Sequence, residues 1–111
     1  MNHEKAFTQL QKIGTSKGSR RVCLWNKRMA DVGFPIGQPI EIRQIDSDHL
    51  HIVPVRESRR KVSRVLNHGK ILPVIDIKET RKIDLSGLGD PGGTVTVSIQ
   101  KNLISISGKG S

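Results

Sequence analysis

Gly37-Gln38-Pro39-Ile40-Glu41-Ile42 returns later in the chain as Gly92-Gly93-Thr94-Val95-Thr96-Val97. A short charged segment containing a glycine precedes each copy. In the first it is Asn26-Lys27-Arg28-Met29-Ala30-Asp31-Val32-Gly33-Phe34, and in the second Glu79-Thr80-Arg81-Lys82-Ile83-Asp84-Leu85-Ser86-Gly87-Leu88. A turn and an alternating apolar segment follow each copy, His49-Leu50-His51-Ile52-Val53 in one and Asn102-Leu103-Ile104-Ser105-Ile106 in the other. The same order of elements met twice predicts a duplicated structural unit.

Local chemistry assigns the elements. Ile40 to Ile45 and Val95 to Ile99 alternate at period two, and Arg21-Val22-Cys23-Leu24 and Pro73-Val74-Ile75-Asp76-Ile77 are short β-rich runs, so all four read as strands. The charged segments between them read as helices of one to two turns. Asn26 is placed to cap the first, and Gly33 and Gly87 to end each helix with a left-handed residue. Asp46-Ser47-Asp48 and Gln100-Lys101-Asn102 read as hairpin turns. Residues 1–11 carry Ala6, Phe7 and Leu10 near helical spacing, too briefly to define an element, and Gly108 to Ser111 read as a frayed tail.

The charge is confined to two places. Residues 12–21 hold Lys12, Lys17, Arg20 and Arg21 without an acid. Residues 56–70 hold Arg56, Arg59, Arg60, Lys61, Arg64 and Lys70 against Glu57, and together the two stretches account for the full formal net charge of +9. Each lies directly upstream of its repeat and contains a glycine turn, Gly14-Thr15-Ser16-Lys17-Gly18 or Asn67-His68-Gly69, between β-prone pieces. Each stretch therefore reads as a basic hairpin. Basicity localised in this way is the footprint of a chain that meets a polyanion at two positions.

Size and composition exclude several classes. At 111 residues and 34% hydrophobic content the chain supports one domain or two closely fused halves. No apolar run approaches the ~20 residues that span a bilayer, and the start lacks the order of a secretion signal, so a cytoplasmic protein without a membrane partner is expected. The single cysteine, Cys23, excludes an internal disulfide. The only aromatic residues are Phe7, Trp25 and Phe34, too few for a single-strand stacking platform. His49 and His51 share a strand face with no second cysteine or spaced carboxylate to complete a metal site, and read as edge-strand surface residues. Asp46 and Asp48 suit a turn better than a two-carboxylate catalytic site. The chain accordingly reads as a non-enzyme without cofactor or metal. Cys23 reads as a small buried filler, Trp25 as packing on the first short helix, and Phe34 and Leu88 as matched core anchors.

The element order, with Lys12-Ile13-Gly14-Thr15-Ser16-Lys17-Gly18-Ser19-Arg20-Arg21-Val22, resembles the AbrB/MazE/SpoVT superfamily of swapped-hairpin DNA-binding domains. The stretch from Arg21 through Phe34 to Gly37-Gln38-Pro39-Ile40 is most similar to SymE-like members. The likeness covers roughly residues 12–107 and is weaker in the second repeat, which lacks a Gly-Thr-Ser turn. It implies a fold that is mainly β with short helices, a swapped-hairpin AbrB-like pseudo-barrel built from two tandem repeats. On this reading residues 1–11 are an N-terminal extension, 12–55 the first repeat, 56–107 the second, intertwined with it in one domain, and 108–111 a flexible tail.

The resemblance also implies a function: a sequence-specific regulator, most simply a bacterial, phage or plasmid repressor, binding double-stranded DNA at a pseudo-palindromic site near the nucleoid. The chain would act as a monomeric pseudo-dimer or as a homodimer. Carried onto matching positions, the DNA contacts are Lys12, Thr15, Ser16, Lys17, Arg20 and Arg21 in the first unit. In the second they are Arg59, Arg60, Lys61, Arg64, Asn67, His68 and Lys70. The residue types suit the task, since arginine offers a planar fork to phosphate or guanine and lysine a mobile charge to phosphate. A two-stranded ribbon is also narrow enough for the major groove. Solvated surface charge is the plainer account of such runs. The competing function is a SymE-like toxin acting on RNA or the nucleoid, which would need an acid/base pair where only His68 lies in a basic stretch. An antitoxin of the MazE type would need an acidic tail, which this sequence lacks.

Overall fold

The structure, a computed structural model, describes residues 7–108. Within them the alternating Val and Ile segments become strands, and the fold is mainly β, with two antiparallel sheets. In chain order these are β1 (Phe7–Lys12), β2 (Gly14–Ser16), β3 (Ser19–Trp25), a short 3-10 helix (Met29–Val32), β4 (Ile40–Asp46), β5 (His49–Pro54), β6 (Ser63–Asn67), β7 (Lys70–Lys78), a second 3-10 helix (Ser86–Leu88), β8 (Thr94–Gln100) and β9 (Leu103–Gly108). One sheet runs β1-β8-β9-β5-β4 and the other β2-β3-β7-β6. Val22, Leu24, Leu50, Ile52, Ile75, Ile77, Val95, Val97, Ile99, Ile104 and Ile106 face inward at period two, and Met29, Phe34, Leu85 and Leu88 join them in one core. Each such burial stabilises by roughly 1.5–3 kcal/mol. No helix of the described residues is long and apolar enough to cross a membrane.

The two halves of the chain are joined strand to strand. β1 pairs with β8, β3 with β7 and β5 with β9, each ladder uniting an early segment with a late one. Residues 60–62 pair in turn beside β4, through Ile40 N–H to the Arg60 carbonyl at 2.9 Å and Val62 N–H to the Gln38 carbonyl at 2.9 Å. The registers follow an approximate twofold. Val22↔Ile77 and Leu24↔Ile75 exchange about the Cys23↔Asp76 pair. Leu50↔Ile106 and Ile52↔Ile104 exchange about His51↔Ser105 in the other sheet.

Each short helix packs beneath a turn of the opposite half. Asn102 N–H donates to the Val32 carbonyl at 2.7 Å, and a Cβ on Gly33 would collide with the Asn102 side chain. Correspondingly, a Cβ on Gly87 would collide with the backbone carbonyl of Ser47. The Gln44 amide fastens the same region, donating to the Asp84 carbonyl at 3.1 Å and accepting from Asp84 N–H at 3.0 Å.

Several sequence expectations are corrected here. Residues 7–11, expected within an undefined extension with helical spacing, form β1 together with Lys12, because Phe7, Gln9 and Gln11 lie opposite Ile99, Val97 and Val95 on the inward side of the sheet. The helices, of four and three residues, are single 3-10 turns at the short end of the expected one to two turns. Asn26 accepts from Arg28 N–H at 2.8 Å, one step ahead of the helix it was expected to cap. Gly33 ends the first helix at φ 106°, but in the second it is Gly89, at φ 133°, that takes the positive φ, while Gly87 lies inside the turn. Strand β5 lies between β9 and β4, so His49 and His51 are on an interior strand instead of an edge. Their rings meet edge to face at 4.8 Å. Trp25 is 47% exposed and Cys23 half-buried, because both point to the outer side of β3. Gly108 is the last residue of β9, and the remaining tail residues lie outside the described ones.

Replacing Gly87 with Ala should therefore destabilise the protein by roughly 1–3 kcal/mol, since neither backbone can yield easily. The check is the urea unfolding midpoint, and an unchanged midpoint would show that the Ser47 turn moves aside freely.

Candidate nucleic-acid interface

Directly opposed residues of an antiparallel pair share a face, so the registers fix which side chains the four-stranded sheet presents outward. Arg21 lies opposite Lys78, Cys23 opposite Asp76 and Trp25 opposite Val74. Toward the edges, Ser16 lies opposite Ser19, Val65 opposite Leu72 and Asn67 opposite Lys70. The opposite side of the same strands carries the core residues Val22, Leu24, Ile75 and Ile77. The outer surface is thus basic toward the β2–β3 end, apolar between Trp25 and Val65, and basic again at the β6–β7 end.

Both basic stretches close as two-residue hairpins. Lys17 and Gly18 have φ 53° and 85°, and His68 and Gly69 have φ 51° and 76°, the double positive φ that suits strand twist in a tight turn. Because β3 and β7 are antiparallel, the two turns project from opposite ends of the sheet. The rung at Lys70 and the level of Ser19 lie about ten residues apart along β7, or roughly 33 Å. The longest dimension of the molecule is 38 Å.

The thirteen residues expected to touch DNA fall into three groups. Ser16, Arg21, Asn67 and Lys70 share the outer face, with Lys17 and His68 at the turns. Among the described residues, the side chains of Lys17, His68 and Lys70 make no hydrogen bond or ion pair. Thr15, Arg20 and Arg64 point to the other side of their strands, and Arg20 is held within the molecule. Its Nε donates to the Gly89 carbonyl at 2.9 Å, its guanidinium lies 3.6 Å from Glu79 and 3.5 Å from Asp90, and its backbone N–H donates to Glu79 at 2.9 Å. Lys12 stands at the end of β1 on the five-stranded sheet, paired across from Thr94. Arg59, Arg60 and Lys61 precede β6, where Arg60 reaches the Asp76 carbonyl at 3.5 Å and lines an open cleft with Arg59, Glu41 and Lys82.

Asp76 is the acid at the centre of the outer face. Arg21 Nε donates to it at 2.7 Å and Lys78 Nζ lies 4.0 Å away. That hydrogen bond and the opposing charge raise the pKa of Arg21 above its ordinary value. Burial, reinforced by the Asp76 carboxylate, pushes the Cys23 thiol up, with Arg21 pulling the other way. Cys23 is therefore a protonated, sluggish thiol at neutral pH. Among the described residues no three His, Cys, Asp or Glu side chains gather as a metal site.

Lys78 and Trp25 belong to this outer surface, and the exposed Leu66 and Ile71 to the other side of its β6–β7 end, but none of them entered the charge-based reading. Lys78 lies outside both basic stretches, and only the β3–β7 register brings it opposite Arg21. The exposed apolar residues look like core-forming strand residues in sequence. The one available signal was the greater length of β-prone chain flanking the second turn.

No known protein family, curated protein or solved structure matches this chain.

Two outcomes follow. Arg20→Ala should lower the unfolding free energy by about 1–2 kcal/mol through lost charge-assisted hydrogen bonds, while Lys17→Ala should change it by less than about 0.5 kcal/mol. Equal urea midpoints for the two variants would contradict the assignment of Arg20 as an internal clamp. At pH 8, iodoacetamide should alkylate Cys23 more slowly than a free cysteine, and Asp76→Asn should accelerate the reaction. A wild-type rate equal to that of the free amino acid would contradict the raised thiol.

Proposed function

We propose that this protein is a sequence-specific double-stranded DNA-binding transcriptional regulator, a repressor that reads a pseudo-palindromic site as a monomeric pseudo-dimer. The observation carrying this reading is the placement of two basic hairpin turns at opposite ends of one sheet, roughly 33 Å apart and related by an approximate twofold. Successive half-sites on one side of a duplex are about 34–36 Å apart, so one chain spans two of them. The resemblance to the AbrB/MazE/SpoVT superfamily points the same way. In such an arrangement each hairpin is exchanged into the other half of the barrel, a description that the pairing of β3 with β7 suits.

In this reading Lys17, His68 and Lys70 meet phosphates, having no internal partner to give up. Arg21 and Lys78 approach the duplex as a pair around Asp76, which trims their charge and fixes the guanidinium plane. Ser16 and Asn67 position the ribbons with neutral donors. The hairpins differ in length and side chains, so the two half-sites differ as well.

Selection from a random duplex library should recover a motif of two unequal half-sites about one helical turn apart. Affinity should fall steeply with salt, and Lys17→Ala and Lys70→Ala should each reduce the logarithmic salt slope by about one while leaving stability unchanged. Equal affinity for all duplexes and for RNA would overturn the specific-regulator reading and favour the RNA-directed alternative.

A further inference from the structure

The two edges of the five-stranded sheet are unlike, although the repeat makes their strands equivalent. Ile42 of the first block corresponds to Val97 of the second. On the β8 side, β1 covers the edge from Phe7↔Ile99 to Lys12↔Thr94, with Gln9 opposite Val97. On the other side, no strand of the described residues lies beyond β4. The chain leaves β5 at Pro54, opposite Ile40, and is back beside Ile40 on the other edge at Arg60, whose carbonyl accepts from Ile40 N–H at 2.9 Å. Residues 55–59 therefore only round the end of β4. The Ser58 hydroxyl closes that loop by accepting from Arg60 N–H at 3.1 Å, and the chain then runs past Pro39 and Gln38, away from Ile42.

The uncovered edge forms one wall of a slot. Backbone alternation aims the N–H and carbonyl of Ile42 the same way as Ile40 N–H, outward from β5. The facing wall is a segment with a counterpart in the first half, where it grips β1. There the Asn26 amide donates to the Gln9 side chain at 3.0 Å, and the Arg28 guanidinium lies 4.1 Å from the centre of the Phe7 ring. Counted back from Gly33 and Gly87, the residues equivalent to Asn26 and Arg28 are Thr80 and Lys82. With no strand between them and β4, these border a cleft of about 370 Å³ with Ile40, Ile42, Arg59 and Arg60. That is far larger than the water-sized voids of ordinary packing. Ile83, 7% exposed, gives it an apolar lining, and the Gln44–Asp84 hydrogen bonds close the end nearest the β4 bulge.

The charge of the slot is one-sided. Arg59, Arg60 and Lys82 line it, while its single acid, Glu41, is held by Arg43 Nε at 2.7 Å. An open strand edge is a template for another chain, and the charges beside it select which chain. A second copy of this protein would set its own two arginines and lysine against these, since a twofold pairing brings the same patch to itself. An acidic chain is attracted instead. We infer that the β4 edge around Ile42 docks an extended acidic segment of a partner protein, added as a sixth strand in the position that β1 takes on β8. Main-chain hydrogen bonds to Ile42 hold it, Ile42 and Ile83 take an apolar side chain, and Arg59, Arg60 and Lys82 take its carboxylates. The inference stands apart from the duplex reading, which makes no use of Arg59, Arg60 or Lys82.

The test adds two labelled peptides of about six residues to the full chain, one alternating valine with glutamate and the other valine with lysine. The glutamate peptide should bind, and bind less as salt is raised. Its binding should slow hydrogen exchange of the Ile42 amide by about tenfold or more, while the Val97 amide, already under β1, stays unchanged. Among the described residues, the side chains of Arg59 and Lys82 make no hydrogen bond or ion pair, so an Arg59→Glu/Lys82→Glu variant should keep the wild-type urea midpoint. It should also reverse the preference to the lysine peptide. Binding without protection of Ile42, equal binding of the two peptides, or no binding of either by wild type overturns the inference. Self-association of wild type that the variant abolishes, seen by sedimentation, also overturns it and makes the edge an interface between copies. Failure to bind any duplex would remove the proposed function and leave this result untouched.

Discussion

At Ile13 and Val62 the backbone is pinned twice and then changes sheet. Ile13 N–H donates to Gly93 and its carbonyl accepts from Gly92 at 2.9 and 2.8 Å; Val62 does the same with Gln38 and Gly37 at 2.9 and 2.8 Å. Both side chains are buried, at 1% and 2% exposure. Each crossing anchors the start of one hairpin to the strand entry of the opposite half. Neither half can then complete a sheet alone, because its hairpin lies against the other half's hairpin and its alternating strands lie against the other half's strands. Loss of either crossing would remove two backbone bonds and a core side chain together, and the cost is shared by both sheets.

That exchange also arranges the charge. Placing β3 antiparallel to β7 sends the two basic turns to opposite ends of the sheet, so their mutual repulsion is weak at physiological ionic strength, where charges more than about 8 Å apart are largely screened. Near the dyad, where the hairpins meet, the fold places Asp76 between Arg21 and Lys78. Arg20 is turned inward to Glu79, Asp90 and the Gly89 carbonyl. The basic residues thus divide into those that hold the halves together and those left to solvent and partners. The division follows strand parity: of two adjacent arginines, Arg21 faces out beside Cys23 and Trp25, while Arg20 turns to the side of Val22 and Leu24.

The approximate twofold is strict in the core and relaxed at the tips. Core residues exchange in register, Val22 with Ile75 and Leu24 with Ile77, because close packing between two sheets tolerates little mismatch. The hairpin ends have no such neighbour, and two extra rungs on the second ribbon leave the core pairing unaffected. A pairing matched in the core and free at the tips lets one polypeptide present two related but different surfaces.

Much of this was legible in the residues. The repeated Gly37-to-Ile42 and Gly92-to-Val97 blocks, the period-two apolar runs and the glycine turns within basic stretches determined the strands, the tight turns and the sites of charge, because those depend on nearest neighbours along the chain. Phe34 and Leu88 were legible as core for the same reason, being large apolar residues beside their glycines. Residues 7–12 were not. Phe7, Gln9 and Gln11 carry no alternating hydrophobic signal, and only pairing with Val95, Val97 and Ile99 makes that segment a strand. Nor could sequence distinguish Arg20 from Arg21, bring Lys78 beside Arg21, or leave Leu66 and Ile71 without a core. Each of those depends on which strand lies alongside and where it stops, a matter of long-range register that only the tertiary structure decides.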